Sequence, residues 1–363
     1  MFGSRKQALV WLDAERAGLL GAALWVEDPV HAETALRVGL HLGVYLHFRR
    51  YFDDFAVVME AARDAAQRVG DRHNEAVTWN NLGIALQQLR RFEEAAEAHT
   101  RARDIFVERV DHHNEATAWN NLGVALRELR RFEEAAEAHT RARDIYVERG
   151  NRHNEATAWN NLGVALRELR RFEEAAEAHT RARDICVERG DRHGEATAWN
   201  SLGSALQELR RFEEAAEAQT HARDICVQLG DRHSEAMAWN NLGNALQELR
   251  RFEEAVEAHT RARHIYVALG DRHREATAWN NLGIALRKLR RFREALDVYR
   301  DGEILFVEVG DWYSVGVTRW NIALLFEDQQ RTSEANAAWA SAADAYTEAG
   351  ATEEAAKARQ EAE

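Results

Sequence analysis

The chain has 363 residues, of which 45% are hydrophobic and 30% are charged, and its formal net charge is −13. This length suffices for one large domain or two ordinary ones, and the acidic total argues against nucleic acid or an anionic membrane as the main partner. A single proline among many alanines favours helices. No apolar run approaches the ~18 residues of a membrane span, and no secretory signal is visible at the N-terminus.

Most of the chain repeats a 40-residue unit. The segment EATAWNNLGVAL at residues 115–126 returns unchanged at residues 155–166 and recurs in variant form in the neighbouring units. Such self-similarity predicts an array of about eight structural repeats. In chain order we expect a helical N-terminal cap (1–29), a divergent repeat (30–69), six regular repeats (70–309), a second divergent repeat (310–349) and a capping helix (350–363).

Each repeat is predicted to form two helices. The first helix begins after an aspartate or asparagine, such as Asp71 or Asn151, because these side chains cap free backbone amides. A glycine usually precedes this residue and suits a left-handed helix end. Val110 replaces that glycine once, which predicts a locally different turn there. A pair of arginines, Arg90-Arg91 in the first regular repeat, marks the turn between the two helices.

The apolar residues of each helix lie on one face. On a helical wheel, Leu82, Gly83 and Leu86 fall close to Trp79, so this face of the first helix is predicted to be buried. In the second helix several alanines share a face with His99, and these small side chains let the helices approach closely. A thin helix pair cannot bury its apolar surface alone, so the repeats are expected to stack into a solenoid with divergent ends as caps.

These residues resemble the tetratricopeptide repeat. One repeat meets the family pattern with Trp159, Leu162-Gly163, Leu166, Ala175 and Ala182. The resemblance implies an all-α fold, a right-handed superhelical solenoid of antiparallel helix pairs. The 40-residue repeat exceeds the usual ~34 residues and is similar to the repeats of kinesin light chains and spindle-orientation adaptors. Five regular repeats depart from the pattern, because histidine or glutamine replaces the aromatic residue of the second helix.

The N-terminal segment carries a second resemblance. Residues 8–24, ALVWLDAERAGLLGAAL, are similar to the segment that joins the ATPase core to the repeats in bacterial signal-transduction ATPases with numerous domains. The repeats of those proteins act as a sensor for an inducer or partner. Nothing in this chain matches the phosphate-binding pattern G-x-x-x-x-G-K-[ST], so the resemblance implies a free-standing relative or a fragment.

The cysteines and histidines do not predict a reactive site. Cys186 and Cys226 occupy equivalent positions in successive repeats, too far apart for the ~4.4–6.8 Å span of a disulfide, so we expect reduced thiols in a cytoplasmic protein. The histidines form one ladder in the loops and another inside, each repeating once per helix pair, whereas a metal ion needs several ligands together. We therefore expect no metal and no cofactor, although pairing between the ladders remains open. Inner histidines such as His99 should be neutral and hydrogen-bonded.

Two other classes of function are less favoured. No nucleophile lies in a motif and no repeat contains the insertion expected at an active site, so we predict a protein that is not an enzyme. The arginine pairs form a possible basic stripe for phosphate contacts. The acidic total and the adjacent glutamates count against nucleic acid as the partner.

Two adjacent asparagines in each first helix are the main candidates for a binding site. On the wheel they lie away from the buried face, on the side that lines the concave groove of tetratricopeptide solenoids. An amide offers a donor and an acceptor, and so matches a peptide backbone at ~0.5–1.5 kcal/mol net per bond. The predicted groove asparagines are Asn80, Asn81, Asn120, Asn121, Asn160, Asn161, Asn200, Asn240, Asn241, Asn280 and Asn281.

Specificity is expected from groove positions that differ between repeats. These include Arg127, Arg167, Ser204 and Asn244, and the two arginines would favour an acidic ligand. As an alternative, one asparagine of each pair bonds to a neighbouring helix, and the sequence does not decide which one.

The overall prediction is a non-catalytic scaffold or sensor that binds a protein or extended peptide and does not bind a membrane. The alternative is a regulatory fragment that docks on a signalling ATPase, or that self-associates, with its groove empty.

Overall fold

The computed structural model describes residues 4–25 and 29–363, and this part of the chain forms eighteen α-helices and no strands. The chain divides into two compact units, residues 1–185 and 186–363. The helices are α1 (Arg5–Ala23), α2 (Pro29–Arg49), α3 (Phe52–Val69), α4 (Arg72–Gln88), α5 (Phe92–Glu108), α6 (His112–Glu128), α7 (Phe132–Glu148), α8 (Arg152–Glu168), α9 (Phe172–Arg189), α10 (Arg192–Glu208), α11 (Phe212–Leu229), α12 (Arg232–Glu248), α13 (Phe252–Leu269), α14 (Arg272–Lys288), α15 (Phe292–Val309), α16 (Trp312–Asp328), α17 (Thr332–Glu348) and α18 (Thr352–Glu361). The boundary between the units falls within α9.

The N-terminal helix α1 packs against α2 and α3. The hydroxyl of Tyr45 donates a hydrogen bond to Oδ1 of Asp13 at 2.6 Å, and Arg49 forms an ion pair with the same carboxylate. The hydrogen bond from Tyr45, helped by Arg49, lowers the pKa of the Asp13 carboxyl group. Of the predicted N-terminal cap, residues 1–3 and 26–28 lie outside the described residues.

Consecutive helices pack against each other within each unit, which confirms the predicted helix pairs. The first helices of successive repeats also contact one another, α4 with α6 and α6 with α8 in the first unit, and α10, α12, α14 and α16 in series in the second. The second helices α5 and α7, or α11 and α13, show no comparable packing. The first helices therefore form the inner side of the helix array in each unit.

Glycine in the first helix permits the close approach of the second. A Cβ atom added to Gly163 would lie 2.5 Å from Cε1 of His179, so any larger residue would displace the histidine ring. The tryptophan of the repeat is only half-buried, contrary to the wheel. The Arg143 guanidinium lies 4.5 Å from the ring centre of Trp159 and covers the part of the ring that the helices leave open.

The predicted helix starts are confirmed, but one predicted turn is wrong. Asp71 and Asn151 accept hydrogen bonds from backbone amides in the first turns of α4 and α8, at 3.0 and 3.2 Å. Val110 adopts the same left-handed conformation (φ 58°) as Gly150 (φ 64°), and the same 2.9 Å backbone bond closes both turns. The packing on both sides of the turn fixes its geometry, so the valine accepts the strain.

None of the helices in residues 4–25 and 29–363 combines the length and apolar character needed to cross a bilayer.

Candidate functional site

The paired asparagines form hydrogen bonds between successive first helices. Oδ1 of the first asparagine in one repeat accepts a hydrogen bond from Nδ2 of the second asparagine in the next repeat, 41 residues further along. This bond is 3.1 Å long in each case. It joins Asn80 to Asn121, Asn120 to Asn161, Asn200 to Asn241, Asn240 to Asn281 and Asn280 to Asn321. We call this series the asparagine chain.

Asn321 was missing from the predicted site. It lies in the divergent last repeat, where its neighbours no longer spell the repeated segment. Its position within the 40-residue repeat could have identified it, because it stands 40 residues after Asn281 and follows a tryptophan.

A buried histidine of the second helix holds the first asparagine from the other side. Nδ1 of His139 lies 3.1 Å from Oδ1 of Asn120, and the equivalent distance from His179 to Asn160 is 3.0 Å. Because an amide oxygen only accepts, the proton of each neutral ring is on Nδ1. The same arrangement joins His99 to Asn80 and His259 to Asn240.

These histidines are neutral, as the sequence predicts. Burial lowers the pKa of His99 to about 3, and it has the same effect on His139, His179 and His259. Nε2 of His99 is buried without a partner, whereas Nε2 of His259 lies 2.7 Å from the amide nitrogen of Gln247. The ring therefore acts as a fixed donor toward the asparagine.

The repeat that has glutamine in place of histidine keeps the asparagine chain by another route. Gln219 donates through Nε2 to the backbone carbonyl of Asn200 at 3.0 Å, and Ser204 donates through Oγ to the same carbonyl at 3.0 Å. The side-chain oxygen of Asn200 is then engaged by Asn241 alone.

All the predicted groove asparagines are half-buried, and their contact with a ligand stays a prediction. A helical wheel treats one helix in isolation. Here the first helix of the next repeat also covers part of the face that carries the asparagines. The hydrogen bonds between helices that the sequence left as an alternative involve both members of the pairs from Asn120-Asn121 onward, but only Asn80 of the first pair. Each amide nevertheless keeps one group without a hydrogen bond in the described residues: Nδ2 of Asn120, for example, and Oδ1 of Asn161.

The variable groove positions are half-buried as well. The Arg127 guanidinium pairs with Glu128 at 2.7 Å, and that of Arg167 lies 3.6 Å from Glu168, so a neighbouring carboxylate offsets each positive charge. Asn244 forms no hydrogen bond in the described part of the chain. Preference for an acidic ligand near these arginines stays a prediction.

The sequence prediction also missed a role for the glutamine at the end of some first helices. Gln87 donates to the backbone carbonyl of Asn121 at 3.0 Å, and Gln247 donates to that of Asn281 at 3.1 Å. The sequence marks this position as one that varies between repeats, with Arg127 or Arg167 in others, but it does not indicate the backbone partner in the next repeat.

Few side chains of the described residues are candidates for metal binding or for nucleophilic chemistry. Within residues 4–25 and 29–363, no group of three or more His, Cys, Asp or Glu side chains is placed to hold a metal ion. Cys186 and Cys226 are buried free thiols, and burial raises the pKa of each to about 11. A thiol that stays protonated is a poor nucleophile.

Three solved structures illustrate what the fold is similar to. A signal-transduction ATPase with numerous domains and a tetratricopeptide repeat sensor, from Pyrococcus horikoshii, shares 15% identity over 93% of this chain, with a TM-score of 0.67; the match spans 54% of that protein, about half its length. The apo quorum sensor NprR from B. thuringiensis shares 16% identity over 93% of this chain and 95% of its own, with a TM-score of 0.63. A Rap protein complexed with competence and sporulation factor shares 14% identity over 91% of this chain and 96% of its own, with a TM-score of 0.53.

No curated protein matches the chain. The family model of the tetratricopeptide repeat does match, at residues 58–108, 76–148, 114–186, 154–228 and 234–303. These segments cover most of the regular repeats and agree with the helix pairs described above. The chain therefore belongs to the tetratricopeptide repeat family.

Proposed function

We propose that this protein is a non-catalytic scaffold or sensor that binds an extended segment of a protein partner along its first helices. One observation carries the proposal. Within the asparagine chain the oxygen of the first asparagine and the nitrogen of the second are engaged, so the free groups are an Nδ2 donor and an Oδ1 acceptor, as in Asn120 and Asn161. A peptide backbone requires the same two partners, a donor for its C=O and an acceptor for its N–H.

The orientation of these amides is fixed before any ligand binds. Asn120 cannot turn its oxygen outward without losing the bonds to both His139 and Asn161. Groups that are already held in place cost less conformational entropy on binding. The similarity to NprR, a quorum sensor, and to a Rap protein complexed with a signalling factor supports a sensor role.

The experiment removes only the outward donors. Asn120→Asp keeps an oxygen for His139 and Asn161, and Asn160→Asp keeps one for His179, but both variants lack Nδ2. We expect the double variant to retain a random library of extended peptides roughly 5- to 160-fold less well than the wild type, because two bonds are lost at ~0.5–1.5 kcal/mol each. Retention is quantified by mass spectrometry after capture on immobilised protein.

Gln88→Glu is the matched control. It adds a negative charge at the exposed end of a first helix, where Glu128 stands in the next repeat, and leaves the asparagine chain intact. Circular dichroism should show the same helicity for all three proteins. Equal peptide retention by the wild type and the aspartate double variant would remove the groove as the binding site.

A second candidate function has one observation in its favour. The match to the Pyrococcus ATPase covers nearly all of this chain and about half of that protein. In this alternative, the repeats dock on a separate signalling ATPase. Co-purification with an ATPase at fixed stoichiometry, unaffected by Asn120→Asp and Asn160→Asp, would favour it over the groove.

A further inference from the structure

Two equivalent tyrosines differ in one contact. Tyr146 and Tyr266 hold the same position near the end of the second helix, three repeats apart in the register of residues 146, 186, 226 and 266. The hydroxyl of Tyr146 lies 3.2 Å from Oγ1 of Thr117 on the first helix of its repeat. In the repeat of Tyr266 the threonine is replaced by Met237, which cannot complete that hydrogen bond.

Tyr266 is therefore a buried polar side chain without a partner. The residue is only 3% exposed, and its hydroxyl forms no hydrogen bond with any residue that the structure describes. Burial raises the pKa of Tyr266 to about 12, so the hydroxyl keeps its proton and can donate it. The side chain is buried but borders a cavity, where water or a ligand can satisfy the hydroxyl.

Tyr266 lines a cavity of about 460 Å³. Its lining residues lie on α12, the end of α13 and the start of α14, and they are Met237, Asn240, Asn241, Tyr266, Asp271, His273, Arg274 and Thr277. Two of them are predicted groove asparagines. The cavity therefore belongs to the first-helix surface on which the proposed function rests.

The polar groups of the cavity define what it can hold. Asn240 contributes its free Nδ2 donor, Asn241 its free Oδ1 acceptor, and Tyr266 its hydroxyl. Met237 provides an apolar wall. A ligand group with one acceptor and one amide donor, carried on a short apolar stem, would satisfy all of them.

The charged groups around the cavity are already paired. The Arg274 guanidinium lies 2.8 Å from the carboxylate of Asp271, and Nε2 of His273 lies 2.9 Å from that of Asp311. No charge is left over to compensate a charged ligand for its loss of water. An uncharged polar group is therefore the better fit.

We propose that this cavity is the anchor site of the groove and that it holds the side-chain carboxamide of a glutamine or asparagine in the bound peptide. The inference rests on the proposed function, because it needs a peptide on the first helices. The carboxamide oxygen accepts from Tyr266 and Asn240, and its nitrogen donates to Asn241. Binding along the near-identical repeats then has a defined register, which the asparagine chain alone does not provide.

The test uses capped peptide pools of about nine residues, ~30 Å when extended, with one central residue fixed and the others random. The fixed residue is Gln, Asn, Glu, Lys or Leu. The full-length wild type should retain the Gln or Asn pool about fivefold better than the Leu and Glu pools, the effect of one or two hydrogen bonds. Met237→Thr, which restores the partner that Tyr146 has, and Tyr266→Phe should both abolish this preference.

Thr117→Met is the matched control, since it makes the same exchange at the equivalent repeat of the first unit. It should leave the preference unchanged. If all pools are retained equally, the cavity inference fails while the groove proposal stands. If no pool is retained, both fail. A preference for Glu or Lys over Gln, or a Gln preference that survives both Met237→Thr and Tyr266→Phe, also overturns the anchor site.

Discussion

The buried histidines should make the stability of the repeats depend on pH near neutrality. Burial, together with the nearby Arg127, lowers the pKa of His139 from 6.5 to about 3. In the unfolded chain the same histidine titrates near its ordinary value. Between these two values the unfolded state binds more protons, so stability is complete above pH 6.5 and falls as the pH drops toward 3. At pH 5.0 the loss is about 2 kcal/mol for each buried histidine.

His139→Gln isolates one of these contributions. Gln219 occupies the equivalent position in another repeat, packed against Gly203 as His139 packs against Gly123, so the fold accepts glutamine there. Between pH 7.5 and pH 5.0 the wild type should lose about 2 kcal/mol more than the variant, because the variant has no proton to take up at that site. Carboxylates titrate equally in both proteins, so they cancel from the difference.

Native-state hydrogen exchange of the amides in α6 and α7 is the appropriate measurement, because repeat arrays can open locally and exchange reports the opening of these two helices separately. His113→Gln, in the exposed histidine ladder, serves as the control and should behave as the wild type does. Equal losses for the wild type and His139→Gln would refute the reasoning, because the buried ring would then carry a proton or be uncoupled from opening.

Three further substitutions test the packing. Val110→Gly should stabilise the chain by about 1 kcal/mol, measured by urea unfolding, because glycine adopts the left-handed turn without strain. Gly163→Ala should lower the melting temperature, at a cost of about 1–3 kcal/mol, because its Cβ meets the ring of His179. Asp231→Ala should destabilise α12 by about 1 kcal/mol, seen as faster amide exchange in its first turn, because Ser234 loses the acceptor for its backbone amide.

The helix pairs could be predicted because the pattern of buried residues within each helix indicates where that helix lies. Trp159, Leu162 and Gly163 recur at helical spacing, and aspartate or asparagine recurs where each first helix begins. These signals depend on residues within one helix or its nearest neighbour. The turn at Val110 shows the limit of such reasoning, since contacts on both sides override the preference of the residue itself.

The candidate site could be predicted only in part, because its contacts join distant residues. The sequence located the asparagines but not their partners, such as Asn121 for Asn80, 41 residues apart on another helix. The cavity at Tyr266 arises from Met237 on one helix and Arg274 on another, where the first unit has Thr117 and Asn154. These two differences can be interpreted only when the fold shows that Met237, Tyr266 and Arg274 line one cavity.

The asparagine chain links the interior of each repeat to the surface proposed for the ligand. The protonated Nδ1 of His139 draws the oxygen of Asn120 inward, and that oxygen then also receives the amide of Asn161. The outward group of Asn120 is consequently a donor, and that of Asn161 an acceptor. Where Tyr299 replaces the histidine, Asn280 is held by Asn321 alone. One hydrogen bond therefore sets the amide polarity of Asn280, as it does for Asn200 in the repeat of Gln219. Alanine at any first asparagine removes an internal contact together with a proposed ligand contact, whereas aspartate separates the two.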